Sequence, residues 1–418
     1  MIESLLSPTG APVSSAAGVP AMLARLSAAQ GLAPFAPLLK SFVADLSRSV
    51  LTDRAFREHP ELMAMAHWFR AANLPALQAR LLGAESDAGD LFQVRRGVVF
   101  HIAPSNVDSV FIYSWLLSLL CGNANIARVS RRRTAQMQTF FAQVHRLLQR
   151  EEYAPLAESN WVLSYDHDAE LTAQLSAACH LRVIWGGDAT IEQIRRAPLP
   201  ALAGELAFAN RFSMALLKAE AVLGLDSAQL ERLSQGFYND TFWFNQRACS
   251  SPRAVWWVGD AASCEAARAK FWPALQTEIE RHQPENTPAQ VMNRATMLYA
   301  LAQAHPGAKA CTPIGALPTR IEVASFSDLD RRLHDGQGLF IELLRPDLLS
   351  VMSSLSTRDQ TLAQFGFARS EWVSALSLLP PHAADRIVPV GEALAFSSVW
   401  DGVDLLRAFT RVVQIGGR

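Results

Sequence analysis

One cysteine of this 418-residue chain lies where it could act as a nucleophile. Cys249 is part of a polar segment, residues 247–251, directly before an aromatic and β-branched run over 254–258 that predicts a strand. A loop thiol at the start of a strand can be exposed, and it attacks carbonyl groups once its pKa is lowered. The alternative is a buried and unreactive thiol, which is the commoner state of cysteine.

The amide side chain of Asn106 is a second candidate for chemistry. A strand predicted over residues 97–102 ends just before Pro104, and a very apolar helix is predicted over 107–121. Ligands of open α/β sheets bind at the carboxyl ends of the strands, so the amide could face a cleft there. Asparagine is also a favoured helix cap, and that structural role is the alternative.

Two glycines follow the predicted strand 181–185, at Gly186 and Gly187, and a helix is predicted to start at residue 189. Glycines at this position let a phosphate-bearing ligand approach the backbone near a helix N-terminus. A tight turn without a ligand is the alternative, because the chain contains no GxGxxG or Walker A motif.

Arginines are concentrated after another predicted strand, residues 126–129. Arg128, Ser130 and Arg131 stand at the strand end, and the guanidinium group is suited to binding phosphate. The alternative is a solvated turn between a strand and a helix.

The elements that must position these residues alternate between strand and helix from residue 97 to residue 196. This alternation predicts right-handed βαβ units in a parallel sheet with helices on both faces. A second α/β unit is predicted to begin near residue 212, and the first 95 residues are predicted to be helical. Predicted strands cover 97–102, 126–129, 160–164, 181–185, 214–217, 254–258 and 321–324, and predicted helices cover 107–121, 134–149, 169–178, 189–196, 227–235, 261–282, 288–305 and 403–409.

Composition excludes several classes of protein. Half of the residues are hydrophobic, which is too many for a disordered chain, and 38 basic against 39 acidic residues give a net charge of −1. We therefore expect no nucleic-acid or anionic-membrane partner. The five cysteines include no CxxC pair, so neither a metal site nor a disulfide framework is expected. Reduced thiols, an N-terminus unlike a signal peptide and the lack of a run long enough to span a bilayer predict a cytoplasmic protein.

Taken in order, these segments resemble the aldehyde dehydrogenase superfamily, and most closely its acyl-reductase branch, the LuxC family. The superfamily's strand–Pro–x–Asn motif is similar to residues 102–106, and its nucleophile segment is similar to residues 245–249 followed by Arg253. Narrower LuxC-like features are residues 185–188, 248–252 and the tail motif Trp-Asp-Gly at 400–402.

This resemblance implies an aldehyde-dehydrogenase-like α/β fold. An N-terminal helical segment and a Rossmann-type cofactor domain would occupy residues 1–211, a catalytic domain 212–390, and a C-terminal segment packing back on the cofactor domain 391–418. The residues implied in cofactor binding are Ala103, Pro104, Ser105, Arg128, Ser130, Arg131, Trp185, Gly186 and Gly187.

The activity implied by the resemblance is reduction of an acyl thioester, on coenzyme A or an acyl carrier, to the aldehyde. Cys249 would form the thioacyl intermediate, and the Asn106 amide with the Cys249 backbone N–H would stabilise the oxyanion. NADPH is favoured over NADH, because Arg128, Ser130 and Arg131 suit a ribose 2′-phosphate. An acyl-protein synthetase of the LuxE type is the implied partner, and a homodimer is expected.

Hydrolytic members of the superfamily carry a glutamate base that this chain lacks at the corresponding segment, residues 208–213. Glu205 is the nearest carboxylate. The alternatives are therefore an aldehyde dehydrogenase working oxidatively, with Glu205 as the base, and a non-redox acyl-transfer subunit. Glu322 and Glu342 are both candidates for the carboxylate that many members place on the nicotinamide ribose.

Overall fold

The structure is a computed structural model that describes residues 2–7, 13–83, 90–104, 110–131, 134–313 and 315–416. The chain divides into two compact units. The first comprises Met1–Ala209, Phe396–Val399 and Val403–Arg418, and the second comprises Asn210–Ala395 and Trp400–Gly402. The sequence prediction drew the boundary at 211/212 and assigned all of 391–418 to the first unit, whereas here that segment contributes to both units.

The first unit contains a six-stranded sheet with the order β1-β5-β4-β3-β6-β7. Every neighbouring pair is parallel except β1 with β5. From β3 onward the chain adds two strands on one side and then two on the other, which is the order of dinucleotide-binding sheets. The strands are β1 (Glu3–Leu6), β3 (Val98–Ile102), β4 (Ala124–Val129), β5 (Asn160–Ser164), β6 (Leu181–Trp185) and β7 (Gly204–Phe208).

The helices of this unit are α1 (Val19–Ala28), α2 (Pro37–Thr52), α3 (Pro60–Trp68), α4 (Leu74–Leu82), α5 (Val110–Leu120), α6 (Ala135–Leu148), α7 (Ala154–Glu158), α8 (Ala169–Ala178) and α9 (Asp188–Arg195). Helix α5 is buried at every position but its first, and all of β3 is buried. A central parallel strand covered on both faces requires a predominantly apolar run, and the one polar residue of β3, His101, is hydrogen-bonded to Ser114 and Asn125. The Thr134 side chain caps α6 by accepting a hydrogen bond from the Met137 N–H.

The second unit is built on a seven-stranded sheet with the order β10-β11-β12-β9-β8-β13-β14. Its strands are β8 (Phe212–Lys218), β9 (Pro252–Val258), β10 (Lys309–Ala310), β11 (Thr319–Glu322), β12 (Leu339–Arg345), β13 (Asp359–Phe365) and β14 (Arg386–Pro389). Only β10 runs antiparallel to its neighbour among these described strands. The helices are α10 (Ala219–Leu223), α11 (Ser227–Phe242), α12 (Ala261–His282), α13 (Pro288–Ala304), α14 (Asp328–Leu333), α15 (Leu348–Met352) and α16 (Arg369–Ala375).

The C-terminal tail differs from its prediction. The helix expected over 403–409 is only one turn, α17 (Leu405–Ala408), which follows the two-residue strands β15 (Val399–Trp400) and β16 (Val403–Asp404). Beyond it, β17 (Thr410–Gln414) pairs antiparallel with β2 (Leu91–Arg95), which lies in the stretch expected to be helical. The apolar residues of β17 pair with a distant segment, so a short sequence window did not show the strand.

No helix within the described parts of the chain combines the length and the apolar character that crossing a bilayer requires.

Candidate active site

The loop that carries Cys249 connects the end of α11 at Phe242 to the start of β9 at Pro252. Its backbone turns at Asn245 and Gln246, which have φ values of 51° and 57°. These left-handed conformations are unfavourable for residues other than glycine, so the surrounding structure must hold them. The Asn245 carbonyl accepts a hydrogen bond from the Gln337 N–H at 2.9 Å, and the Gln246 N–H donates to the Thr241 carbonyl at 2.7 Å.

The side chain of Gln246 anchors this loop to two strands. Gln246 is fully buried. Its Nε2 donates to the carbonyls of Pro252 and Leu339, both at 3.0 Å, and its Oε1 accepts from the Gly338 N–H at 2.6 Å. All of its hydrogen-bonding capacity toward these strands is used, so the approach to Cys249 is held in one geometry.

A glycine makes this close packing possible. Gly336 has a φ of 81°, and a Cβ atom built on it would lie 2.9 Å from the Asn245 carbonyl oxygen. A larger residue at this position would push the loop away from the segment that leads into β12.

Cys249 itself is half-buried, and its role as the nucleophile stays a prediction. The Ser213 hydroxyl donates to the Cys249 carbonyl at 2.6 Å and accepts from the Thr361 N–H at 3.2 Å, so one hydroxyl connects the loop to β8 and β13. The Cys249 N–H lies beside its own sulfur and lowers the pKa of the thiol. Of the other cysteines, Cys121, Cys179 and Cys264 are buried, and Cys311 is half-buried.

Opposing influences act on the pKa of the Cys249 thiol. Burial and the Asp401 carboxylate raise it, whereas a hydrogen bond from the Gln360 amide and the charge of Arg253 lower it, and the net pKa is above the ordinary value. The resting form is therefore the thiol. Acyl transfer requires the thiolate, so the groups that lower the pKa are the ones that favour reaction.

Arg253 provides the positive charge near the thiol. Its Nε donates to the Gln246 carbonyl at 3.2 Å, and its guanidinium lies 5.8 Å from the centre of the Phe212 ring. On its other side is His334, whose pKa is lowered to about 3 by burial and then by the charge of Arg253. The histidine is thus neutral, and the arginine is the cation that acts on Cys249.

In the first unit, the residues predicted to bind the cofactor lie at or just after the carboxyl ends of strands β3, β4 and β6, along one edge of the sheet. Ala103 is buried after β3, and its N–H donates to the Arg128 carbonyl at 2.9 Å; Pro104 is half-buried. Ser105 and Asn106 lie outside the described residues, so the oxyanion role of Asn106 stays a prediction. His101 lies on β3, two residues before Ala103, and is buried in the core. Burial lowers the pKa of His101 to about 4.

The guanidinium group of Arg128 lies near the carboxyl end of β4, at this edge of the sheet. Its Nη2 donates to the Tyr165 carbonyl at 3.4 Å, and its guanidinium lies 5.4 Å from the Tyr165 ring centre. Its Nε is buried and has no hydrogen-bond partner within the described residues. Ser130 directly follows β4, and Arg131 forms an exposed ion pair with Asp166 at 2.5 Å. Exposed pairs are weak, so the Arg131 guanidinium could exchange Asp166 for an anionic ligand.

Trp185, Gly186 and Gly187 form the turn from β6 to α9. The Trp185 ring stacks on Phe208 with centres 3.9 Å apart, and the Gly186 N–H donates to the Phe208 carbonyl at 3.2 Å. Gly187 occupies the N-cap of α9 and provides no side-chain cap, and the acidic Asp188 follows it in the first turn. The Arg128 Nε has no partner within the described residues, and this donor with the backbone N–H groups of the helix N-terminus fits a phosphate-bearing dinucleotide at the carboxyl edge of the sheet.

Glu205 is engaged in ion pairs and is not a free base. Its carboxylate accepts from Arg182 at 2.6 and 2.9 Å and from Arg195 at 2.7 Å. Burial pushes the pKa of Glu205 upward, but the hydrogen bonds from both arginines outweigh it and hold the pKa below its ordinary value. A carboxylate held in this way is a poor proton acceptor for water, which argues against the alternative that Glu205 is the general base.

Glu322 and Glu342, the candidate ribose ligands, belong to one structural network in the second unit. Glu342 is fully buried and accepts from Trp257 Nε1 and Trp272 Nε1, each at 2.9 Å, and from two arginines. One of these, Arg268, also pairs with Glu322 at 2.6 Å. Buried and fully paired, Glu342 is unavailable to a ribose, because a ligand would have to displace its present donors.

Sequence reasoning assigned no role to two residues beside Cys249. Gln360, on β13, donates to Asp401, and both influence the thiol. Asp401 could have been found from the sequence, because it belongs to the Trp-Asp-Gly motif at 400–402. Gln360 could not, because the sequence pattern did not predict the strand in which it lies.

Residues 85–412 of the chain match the family described as acyl-CoA reductase (LuxC). A curated relative, the long-chain acyl-protein thioester reductase of Aliivibrio fischeri, is 25% identical over 167 residues. That match covers 40% of this chain and only 33% of the relative, so it spans about a third of the relative's length.

Solved aldehyde dehydrogenases are similar in structure. Aldehyde dehydrogenase 21 from Physcomitrella patens, solved with the reaction product succinate, has a TM-score of 0.66 and 13% identity, covering 98% of this chain and 94% of its own. An NADP-dependent enzyme from E. coli has a TM-score of 0.63 and 12% identity, covering 99% and 94%. These likenesses show an aldehyde-dehydrogenase-like α/β fold, which confirms the predicted fold class.

Proposed function

Because this chain belongs to the LuxC acyl-CoA reductase family, we propose that it reduces an acyl thioester of coenzyme A or an acyl carrier to the aldehyde. The observation that carries the proposal is the setting of Cys249, a half-buried thiol on an anchored loop beside Arg253. Its own N–H lies beside the sulfur and lowers the pKa of the thiol, and the same N–H could donate to an oxyanion formed at that sulfur.

In the first half-reaction, the Cys249 thiolate attacks the carbonyl carbon of the thioester. The carbon–sulfur bond to the leaving thiol breaks, that thiolate takes up a proton, and the acyl group is held as a thioester on Cys249. Negative charge develops on the carbonyl oxygen during the attack, and the Cys249 N–H, with the predicted Asn106 amide, would stabilise it. A donor of this kind typically contributes about 3–4 kcal/mol to the transition state.

In the second half-reaction, a bound reduced nicotinamide would supply the hydride that converts the enzyme thioester to a thiohemiacetal on Cys249. The same oxyanion donors serve this step. The carbon–sulfur bond to Cys249 then breaks, which releases the aldehyde and returns the thiolate. Arg253 favours this release, because its positive charge stabilises the departing thiolate.

We assign cofactor binding to the carboxyl edge of the first sheet. Gly186, Gly187 and the open N-terminus of α9 suit a pyrophosphate. Arg128 and Arg131 suit a 2′-phosphate, which favours NADPH over NADH. The unpartnered Arg128 Nε supports this assignment, since a buried donor without an acceptor is costly unless a ligand provides one.

Oxidation of aldehydes to acids is disfavoured by the state of Glu205. Hydrolysis of the acyl enzyme needs a base to activate water, and Glu205 is paired with Arg182 and Arg195 on the first unit. Without an activated water, the acyl enzyme persists long enough to be reduced.

Two partners belong to the proposal. An acyl-protein synthetase of the LuxE type would provide the acyl group, as the family resemblance implies. A homodimer is supported by the β2–β17 ribbon, in which Leu91, Phe92 and Val412 expose apolar side chains. Sedimentation of the purified chain, alone and mixed with such a synthetase, tests both.

The test of the function is intact-mass detection of an acyl adduct after incubation with acyl-CoAs from acetyl to palmitoyl. We expect one adduct on the wild type, none on Cys249→Ala, and an undiminished adduct on Cys311→Ala, the other half-buried cysteine. NADPH should discharge the adduct to the aldehyde. An adduct that NADPH leaves in place would instead indicate acyl transfer, and acid formed from aldehyde without coenzyme A would indicate oxidation; either result overturns the proposal.

A further inference from the structure

Arg294, on α13, is a buried cation whose hydrogen-bond acceptors among the described residues are all neutral. Its Nε donates to Thr319 Oγ1 at 3.2 Å, and its Nη1 donates to the Gln337 carbonyl at 3.1 Å. Its Nη2 donates to Asn286 Oδ1 at 2.7 Å and to the Gly315 carbonyl at 3.4 Å. Burying a charge without an opposite charge is costly, so stability alone is a poor reason for an arginine here.

The Gln337 carbonyl belongs to a run of three left-handed residues, 336–338, which we call the left-handed segment. Gly336, Gln337 and Gly338 have φ values of 81°, 66° and 83°. The segment donates two backbone hydrogen bonds to the Cys249 loop. The Gln337 N–H binds the Asn245 carbonyl at 2.9 Å, and the Gly338 N–H binds Gln246 Oε1 at 2.6 Å. The loop therefore rests on a segment whose own backbone must be held in an unfavourable conformation.

One peptide unit of this segment connects Arg294 to the Cys249 loop. The carbonyl of the unit between Gln337 and Gly338 faces Arg294, and its N–H faces Gln246 Oε1. A guanidinium group can only donate hydrogen bonds, so it requires the carbonyl end of the peptide. A flipped peptide would turn its N–H toward the guanidinium donors and its carbonyl toward Gln246 Oε1. Arg294 thus determines which end of this peptide meets Gln246.

The next peptide unit is held through Thr319. The Thr319 N–H donates to the Gly338 carbonyl at 2.9 Å. The Thr319 hydroxyl uses its hydrogen on the Ala316 carbonyl, so it is an acceptor toward Arg294. Arg294 therefore acts on both peptide units that flank Gly338, directly on one and through Thr319 on the other.

We propose that Arg294 is a positioning residue for Cys249, which orients the left-handed segment and, through it, the Gln246 side chain that anchors the Cys249 loop. This deepens the proposed function and rests on it, because the position of Cys249 matters for the reaction only if its sulfur receives the acyl group. The positive charge contributes as well as the shape, since a carbonyl bound by a cation makes the N–H of the same peptide a stronger donor.

The experiment compares the rate of Cys249 alkylation by iodoacetamide with stability against urea, on the full chain. A Cys311→Ala background removes the second half-buried thiol. Arg294→Met keeps an unbranched apolar side chain but removes every donor. Alkylation should become about tenfold faster, because the loop opens more easily once the hydrogen bonds from the charged group are lost.

Leu301→Ala is the matched control, a fully buried position of the same helix in the core of the second unit. It creates a cavity and should lower the urea midpoint as Arg294→Met does, but it removes no hydrogen bond to the left-handed segment. The alkylation rate of Leu301→Ala should therefore equal that of the wild type. An equal rise in both variants, or an unchanged rate in Arg294→Met, would reduce Arg294 to a structural role and overturn the inference.

A double-substitution cycle tests the route through Gln246. In the Gln246→Leu background the acceptor of the Gly338 N–H is already lost, so Arg294→Met should change the alkylation rate by less than about twofold. Equal fold-changes with and without Gln246 would contradict the proposed route.

Arg294→Lys provides a second variant if Arg294→Met does not fold, as judged by circular dichroism. Lysine keeps the charge but lacks the planar fork that binds Thr319 and the Gln337 carbonyl together. Its alkylation rate should still exceed that of Leu301→Ala, and a rate no higher than in this control would refute the positioning role.

Formation of the acyl adduct gives a readout in the opposite direction. Alkylation needs only access to the thiol, whereas acyl transfer needs the loop in one geometry. Arg294→Met, or Arg294→Lys in its place, should therefore be acylated more slowly although it is alkylated faster, and acylation at the wild-type rate would overturn the inference. A wild type that forms no adduct would overturn the proposed function, while the alkylation rates still judge whether Arg294 positions the loop.

Discussion

Replacing Gln246 with leucine should both destabilise the second unit and alter the reactivity of Cys249. The substitution removes the Gln246 partner of the Gly338 N–H and of the Pro252 carbonyl, whereas the Leu339 carbonyl keeps a hydrogen bond to His334 Nε2 at 3.0 Å. At about 1–2 kcal/mol for each of the two groups, the loss is about 2–4 kcal/mol. The apolar leucine side chain recovers about 1–2 kcal/mol, so we expect a net destabilisation of about 1–2 kcal/mol.

Urea unfolding followed by tryptophan fluorescence measures this loss, and iodoacetamide alkylation of Cys249 reports the state of the loop. We expect the unfolding midpoint to fall and alkylation to become faster, because the loop is no longer anchored to β9 and β12. The matched control is Gln276→Leu on α12, where the amide makes only an exposed hydrogen bond to Glu280 and a change within about 0.5 kcal/mol is expected. Wild-type stability and alkylation in Gln246→Leu would refute the anchoring role.

Other expected outcomes concern the ion pairs and the cofactor edge. Arg128→Glu should raise KM for NADPH more than for NADH in steady-state assays, and an equal rise would contradict the 2′-phosphate assignment. Glu205→Gln should lower stability at neutral pH by about 2–3 kcal/mol, because Arg182 loses its carboxylate. The pKa of Glu205 is lower in the folded than in the unfolded chain, so the stability that its ion pairs provide is complete above the unfolded pKa. This stability is lost as the pH falls through the folded pKa. The urea midpoints of Glu205→Gln and of the wild type should therefore converge at that low pH. Glu342→Gln should lower the free energy of unfolding by about 3–5 kcal/mol, because Arg268 and Arg320 lose a buried carboxylate. KM for the cofactor should stay unchanged. A raised KM would indicate that Glu342 binds the nicotinamide ribose after all.

Sequence patterns predicted the elements whose signals are complete within a short window. Strand β6 and helix α12 were predicted with the bounds that the structure shows. The alternation of such strands with helices was enough to predict parallel sheets, because only a crossover helix can return the chain to a parallel neighbour. The structure confirms this architecture.

The strands that the sequence did not reveal contain polar residues whose partners are distant. Strand β12 carries Glu342, which is buried only because two tryptophans and two arginines from elsewhere donate to it. Strand β13 begins with Asp359, which pairs with Arg331 at 2.6 Å. Read locally, both segments lack the continuous apolar run of a buried strand.

The chain by itself thus identified the nucleophile candidate, the glycine turn after β6 and the arginines at the end of β4, since each belongs to a recognisable local motif. Which groups act on Cys249 was decided by tertiary structure. Gln360 on β13 donates a hydrogen bond to Asp401 in a turn near the C-terminus, and both residues influence the pKa of the thiol. Hydrogen bonds and charges act over a few ångströms of space, and sequence separation does not record that distance.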